Sequence, residues 1–236
     1  MQVAPIISNI SGNYDKTQCK PAFGHGNSAK KENNYTTGQK TIVGITTAMG
    51  VAASLAFLAK KAGCSLKPSK MFSDIKNSYL AKVQYHDKEV ITLGIGSCLG
   101  GLAGGYLVDK DAENRKAKRR EAVMQVGNVS IPILTVEGFA NIGKKWGKTA
   151  KSLFAISGIF VGVYIANILM NLFSNALFKS KTGERGVKAT DFSAHLDDAV
   201  VAASYISDAK IVQYISRIIP LALMFAGNEV AMKTKD

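Results

Sequence analysis

Acidic residues are scarce in this sequence, and over long stretches charge of either sign is missing. Lys and Arg number 30 against 17 Asp and Glu in 236 residues, a net charge of +13. Cysteine is scarce too: Cys19, Cys64 and Cys98 form neither a CxxC pair nor an even framework, so the cysteines indicate neither a zinc site nor a disulfide scaffold. No GxSxG, HExxH, phosphate-binding loop or dinucleotide-binding pattern occurs. No catalytic residue and no cofactor is therefore expected, and the balance leans away from an enzyme. The N-terminal MQVAPIISNI has no basic start and too short an apolar stretch for a secretory signal.

The uncharged stretches set the class. Mean hydropathy is only +0.06, but the apolar residues are clustered. Nineteen uncharged residues fill 41–59, another 19 fill 90–108, and 27 fill 152–178. A bilayer core needs about 20 residues of helix at about 1.5 Å each. Soluble helices normally keep a charged face, which these runs lack. The reading is an all-α, polytopic transmembrane bundle of about four spans, range three to six. The spans are expected at 41–59, 90–108, 152–175 and 211–230. Segments 122–143 and 191–208 stay open; the first could be a kinked span, a re-entrant segment or a buried helix.

Residues 1–40, rich in Asn, Gly, Ser, Thr and Lys, read as a disordered polar tail ahead of a helical membrane domain over 41–232. Residues 71–86 read as an amphipathic helix. The run KDAENRKAKRRE, 110–121, reads as a solvated helical extension. In KKWGKTAK, 144–151, Trp146 suits an interface. The basic charge lies beside apolar runs with no nucleic-acid motif. The expected partners are thus the lipid bilayer and anionic head groups, not nucleic acid, and the expected location is the cell membrane.

Orientation is in conflict on sequence alone. Seven Lys/Arg follow the first span across 60–88, and six follow the second. If the second segment crosses, these loops lie on opposite sides, so either one defies the positive-inside rule or the segment is re-entrant. The denser RKAKRR side is the weak choice for the cytoplasm.

Four groups of residues stand out. Gly96, Gly100 and Gly104 repeat every fourth residue, and Gly101 and Gly105 add an offset pair. Such spacing lets another backbone approach one helix face. The segment resembles the glycine-zipper stretches of several unrelated membrane families, which implies close helix contact only. It would serve as a packing seam within the chain or as a face for homo-oligomer formation. Tyr164, Asn167, Asn171 and Asn175 share one helical face, as interhelical hydrogen bonds or as the lining of a transporter or channel. Glu137 and Arg217 are ionisable residues at expected lipid depth, able to pair with each other. Glu137 would otherwise sit at the interface with Lys144 and Lys145. Asp191, His195 and Asp198 share a face and could hold a divalent metal or relay protons. Asp191 is equally a plausible helix cap.

Overall fold

The computed structural model describes residues 35–65, 85–178 and 218–235. They form five α-helices: α1 Thr37–Lys61, α2 Asp87–Val108, α3 Ala112–Gly143, α4 Lys148–Phe178 and α5 Ile219–Met232. A 3-10 turn at Lys144–Trp146 joins α3 to α4. No strand occurs among the described residues. The protein is a helical membrane bundle, and among the described residues four helices are long and apolar enough to cross a bilayer: α1, α2, α3 extended to Trp146, and α4.

Local sequence sets the ends. Thr36 starts α1: its hydroxyl accepts from Gln39 N at 3.3 Å, while Gln39 Oε1 accepts from Thr36 N at 2.9 Å. This is a reciprocal capping box. Lys60 and Lys61 close the helix, and Gly63 turns out at φ 76. That left-handed turn suits glycine. Asp111 starts α3 by accepting from Asn114 N at 2.8 Å.

Helices α1, α2 and α4 overlap three of the expected spans, and α3 is the fourth candidate span among the described residues. Residues 122–143 belong to a continuous helix that also takes in the basic run before them. Pro132 sits inside that helix without ending it. The single Thr135 hydroxyl proton has three carbonyls within reach, Ile131 at 3.0 Å, Pro132 at 2.7 Å and Gly158 of α4 at 3.0 Å. At the other end of the chain, α5 covers Ile219–Met232 of the expected 211–230 span. Residues 211–217 of that expected span lie outside the described residues, as do the N-terminal tail through residue 34, most of the 71–86 helix and all of 191–208.

The long helices alternate in direction. Gln39, opening α1, donates to Val108 O, closing α2, at 3.2 Å, and Tyr35 donates to Asp109 at 2.9 Å. Arg120, early in α3, reaches Ser174 and Asn175, late in α4, at 2.8 and 2.9 Å. The second segment is thus a continuous 22-residue helix antiparallel to the first.

Helix α2 is the post of the bundle, with α1, α3 and α5 packed around it. One core cluster joins Val51 and Leu58 of α1, Val90 and Leu93 of α2, Val129 and Ile133 of α3, and Ile219 and Leu223 of α5. Helix α4 lies along α3 with small residues inward, Ala155, Gly158, Gly162 and Ala166, and large ones outward, including Leu153, Phe160 and Phe173. Lipid solvates large apolar side chains as well as protein does. Helix contact therefore selects small residues, which let backbones close together.

Candidate functional site: a buried polar seam beside the glycine helix

The five glycines of α2 meet helices of the same chain on two sides. A Cβ added at Gly96 would strike the Ser54 hydroxyl, at Gly100 the Thr46 carbonyl and at Gly104 the Thr46 hydroxyl, all on α1. At Gly101 it would strike the Gly227 carbonyl of α5, and at Gly105 it would come within 3.0 Å of Ala231 Cα. Small hydroxyls join the same backbones. Ser54 donates to Thr92 O at 3.1 Å, and Ser97 donates to Leu223 O at 2.7 Å.

Beside this contact runs a polar stripe on α3. Lys118, Glu121, Gln125 and Asn128 are all buried, at steps of three and four. The sequence reading put Lys118 and Glu121 in a solvated extension; the structure corrects this. Antiparallel pairing puts Lys118 opposite Gly105 and Val129 opposite Gly94. Gln125 therefore lies near Cys98, halfway along α2, within a cluster that includes Ala122 and Val126.

Lys118 is completely buried. Its ammonium donates to Tyr35 OH at 2.9 Å and to the Lys233 carbonyl at 2.7 Å, and pairs with Asp109 at 3.3 Å. Three donors thus meet three acceptors, which removes most of the penalty of burying the charge. Arg115 engages the end of α2, donating to the Asp109 and Tyr106 carbonyls at 3.1 and 3.0 Å. These are carbonyls a helix C-terminus leaves open. Asn114 accepts from Lys235 N at 2.9 Å. The start of α1, the α2–α3 turn and the end of the chain are so tied together.

Deeper in, the Gln125 amide donates to Glu121 at 3.0 Å and to Glu229 of α5 at 2.6 Å. The Asn stripe of α4 faces α3. Asn171 is buried and donates to Asn167 at 3.1 Å, and Asn175 accepts from Arg120. Tyr164 does not share that environment; it is exposed. Glu137 is exposed and hydrogen-bonds with Asp87 at the start of α2. Its proposed partner Arg217 lies outside the described residues, as do Asp191, His195 and Asp198. Among the described residues no three His, Cys, Asp or Glu side chains are placed to hold a metal.

Lys118, Arg120, Glu121, Gln125 and Glu229 escaped the sequence reading. One signal was present. Gln125 and Asn128 interrupt an apolar segment, and stepping back by four and then three residues reaches Glu121 and Lys118. A run as charged as RKAKRRE, however, offers a charge on every helix face.

The cluster at the α2–α3 turn has a defined pH window. Burial opposes ionisation of Asp109, but the Asp111 N–H, the Tyr35 hydroxyl and Lys118 outweigh it and hold the carboxyl below its usual value. Burial, then the bond to Asp109, pushes the Tyr35 phenol above its usual value. A lowered carboxyl stabilises the fold above its unfolded value, about 3.9, and that gain is lost as pH falls through the lower folded value. A raised phenol stabilises below its unfolded value, about 10, and loses this as pH rises through the folded one. The Asp109 and Tyr35 contributions should hold steady between these limits. The difference in thermal midpoint between wild type and Asp109→Asn should be constant near neutrality and shrink only in strong acid. A difference already vanishing at pH 6 would contradict the assignment.

No family model matches the chain, and neither a curated protein nor a solved structure matches it.

Proposed function

We propose that this is a non-enzymatic, multi-pass protein of the cell membrane that acts as a packed helical scaffold. Its glycine-rich α2 serves as a packing seam within the chain. The observation carrying this reading is the position of the five glycines: α1 lies over Gly96, Gly100 and Gly104, and α5 lies over Gly101 and Gly105. A face already covered on both sides does not offer a second copy the same surface. Homo-oligomer formation, if it occurs, would then use the outer faces of α1 or α4.

The test is molecular mass and helicity in detergent for wild type and Gly100→Leu. The expected result is loss of thermal stability at unchanged mass per particle. A wild-type oligomer that Gly100→Leu converts to a well-folded monomer would overturn it.

A second reading, a small transporter or channel, draws support from the ionisable stripe on α3 and the Asn face of α4, since intramembrane polar residues often mark solute paths. Asn171 favours the scaffold instead, because its buried amide is already engaged by Asn167 one turn back on α4. A side-chain bond of this i, i+4 kind contributes about 0.2–0.5 kcal/mol. Asn171→Leu should therefore lower the thermal midpoint modestly, and proteoliposomes should show no solute flux for it to change. Flux in wild type that Asn171→Leu abolishes would establish the second reading.

A further inference from the structure

A shallow groove of about 280 Å³ runs along the outer side of the α1–α2 contact. Gly50 and Ala53 of α1 and Thr92 and Gly96 of α2 line it, and Phe57 and Leu99 form its walls. Both wall side chains are exposed, at 60% and 61%. The hydroxyls beside it are already engaged: Ser54 donates to Thr92 O, and Thr92 donates to Lys88 O at 2.6 Å. The groove thus presents hydrocarbon and glycine backbone with no waiting hydroxyl, in a bundle whose outer surface meets lipid.

The two helix rows that border it share one further property. On α1 the row Gly50, Ser54, Phe57, Lys61 advances by four, three and four residues. On α2, which runs the other way, the row Leu99, Ile95, Thr92, Lys88 retreats by four, three and four. Residues so spaced share a helix face. Each row therefore leaves the groove at the same end of the bundle and finishes on an exposed lysine. The rise from Phe57 to Lys61 is about 6 Å. Lys60 is exposed beside Lys61. Of the described acids at this end, Glu89 accepts from His86 N at 3.2 Å as the α2 cap, and Asp87 is bonded to Glu137.

We propose that the α1–α2 groove binds an anionic phospholipid, with an acyl chain along Phe57 and Leu99 and the phosphate held by Lys61 and Lys88. Charge complementarity selects this occupant: a hydrocarbon channel ending one helical turn below two ammonium groups repeats the layout of a phospholipid. A zwitterionic lipid fills the channel equally well but carries a choline that the lysines repel. The proposal goes beyond the scaffold reading and does not depend on it.

The test uses the full chain in phosphatidylcholine bilayers containing a trace of spin-labelled phosphatidylglycerol or spin-labelled phosphatidylcholine. The motionally restricted fraction of each label reports relative affinity. A preference for phosphatidylglycerol is expected, roughly fivefold for each contributing lysine. Lys61→Gln with Lys88→Gln should bring the two lipids level. Ala53→Phe, at an exposed position on the groove floor, should reduce the preference by occupying the channel. Lys144→Gln with Lys145→Gln, at the same end of the bundle but on the α3–α4 turn, should leave it intact. All three variants alter exposed side chains, and circular dichroism verifies their helicity. Equal affinities in wild type would overturn the proposal. So would a preference that survives either groove change, or one lost only with the α3–α4 turn lysines, which would mark collective surface charge.

Discussion

Gly101→Ala should destabilise the protein by about 2–3 kcal/mol or more, although alanine favours helix more than glycine does. At two open positions in these helices the same change should help. Gly44 and Gly138 have no atom within 4 Å of an added Cβ, so alanine there should gain up to about 1 kcal/mol from helix propensity. At Gly101 the added methyl meets the Gly227 backbone, its Cα at 2.8 Å, and a backbone cannot rotate aside as a side chain can. Relief requires α5 to move off α2. That movement would also disturb the Ser97–Leu223 bond and the Gln125–Glu229 bond. Thermal unfolding in detergent, followed by helical circular dichroism, measures all three variants. The sign difference between Gly101 and the two open glycines is the decisive feature. A neutral Gly101→Ala would mean that α5 is not seated against α2.

Lys118→Leu should be of similar size, about 3 kcal/mol. Leucine has nearly the same bulk and no charge, so the loss comes from the groups left behind. Asp109 would keep a negative charge with only the Asp111 N–H, Tyr35 and Asn114 to support it, and the Lys233 carbonyl would lose its donor. The lower end of the range for a broken buried pair applies because Asp109 retains 11% of its side-chain exposure. Combining Lys118→Leu with Asp109→Asn should recover part of the loss, since the stranded charge is then gone. The double-mutant cycle should give a coupling of at least about 1 kcal/mol. Additive losses would show that the pair contributes nothing beyond its separate packing. Lys116, two residues from Lys118 on the same charged run and exposed, is the natural comparison. Lys116→Leu should change stability by no more than about 0.5 kcal/mol.

The engaged state of Lys118, Arg115 and Arg120 bears on the charge conflict in the sequence. The run after α2 contains six Lys/Arg, but three of them bond within the fold, to Asp109 and Lys233, to helix carbonyls, and to Ser174 and Asn175. Counting all six as a topogenic signal overstates that side. The apparent contradiction between two equally basic loops on opposite ends is reduced accordingly.

The sequence alone determined the class of this protein. Runs of 19, 19 and 27 uncharged residues have no stable place except as helices in a bilayer or a fully covered core, because backbone and length dictate it. The glycine repeat likewise announced a helix face built for close approach, since removing side chains at every fourth position has that steric result wherever it occurs. What sequence could not decide was which helices make the approach, or which charges are buried. Period and spacing describe one helix at a time. That α1 covers Gly96, Gly100 and Gly104 while α5 covers Gly101 and Gly105 depends on α2 standing at the centre. Lys118 and Lys116 are chemically alike and two residues apart. One is buried among Tyr35, Asp109 and Lys233 and the other is not, because the α2–α3 turn and the chain end converge on only one side of α3. That convergence joins residues 83 and 115 positions apart, which no local pattern encodes.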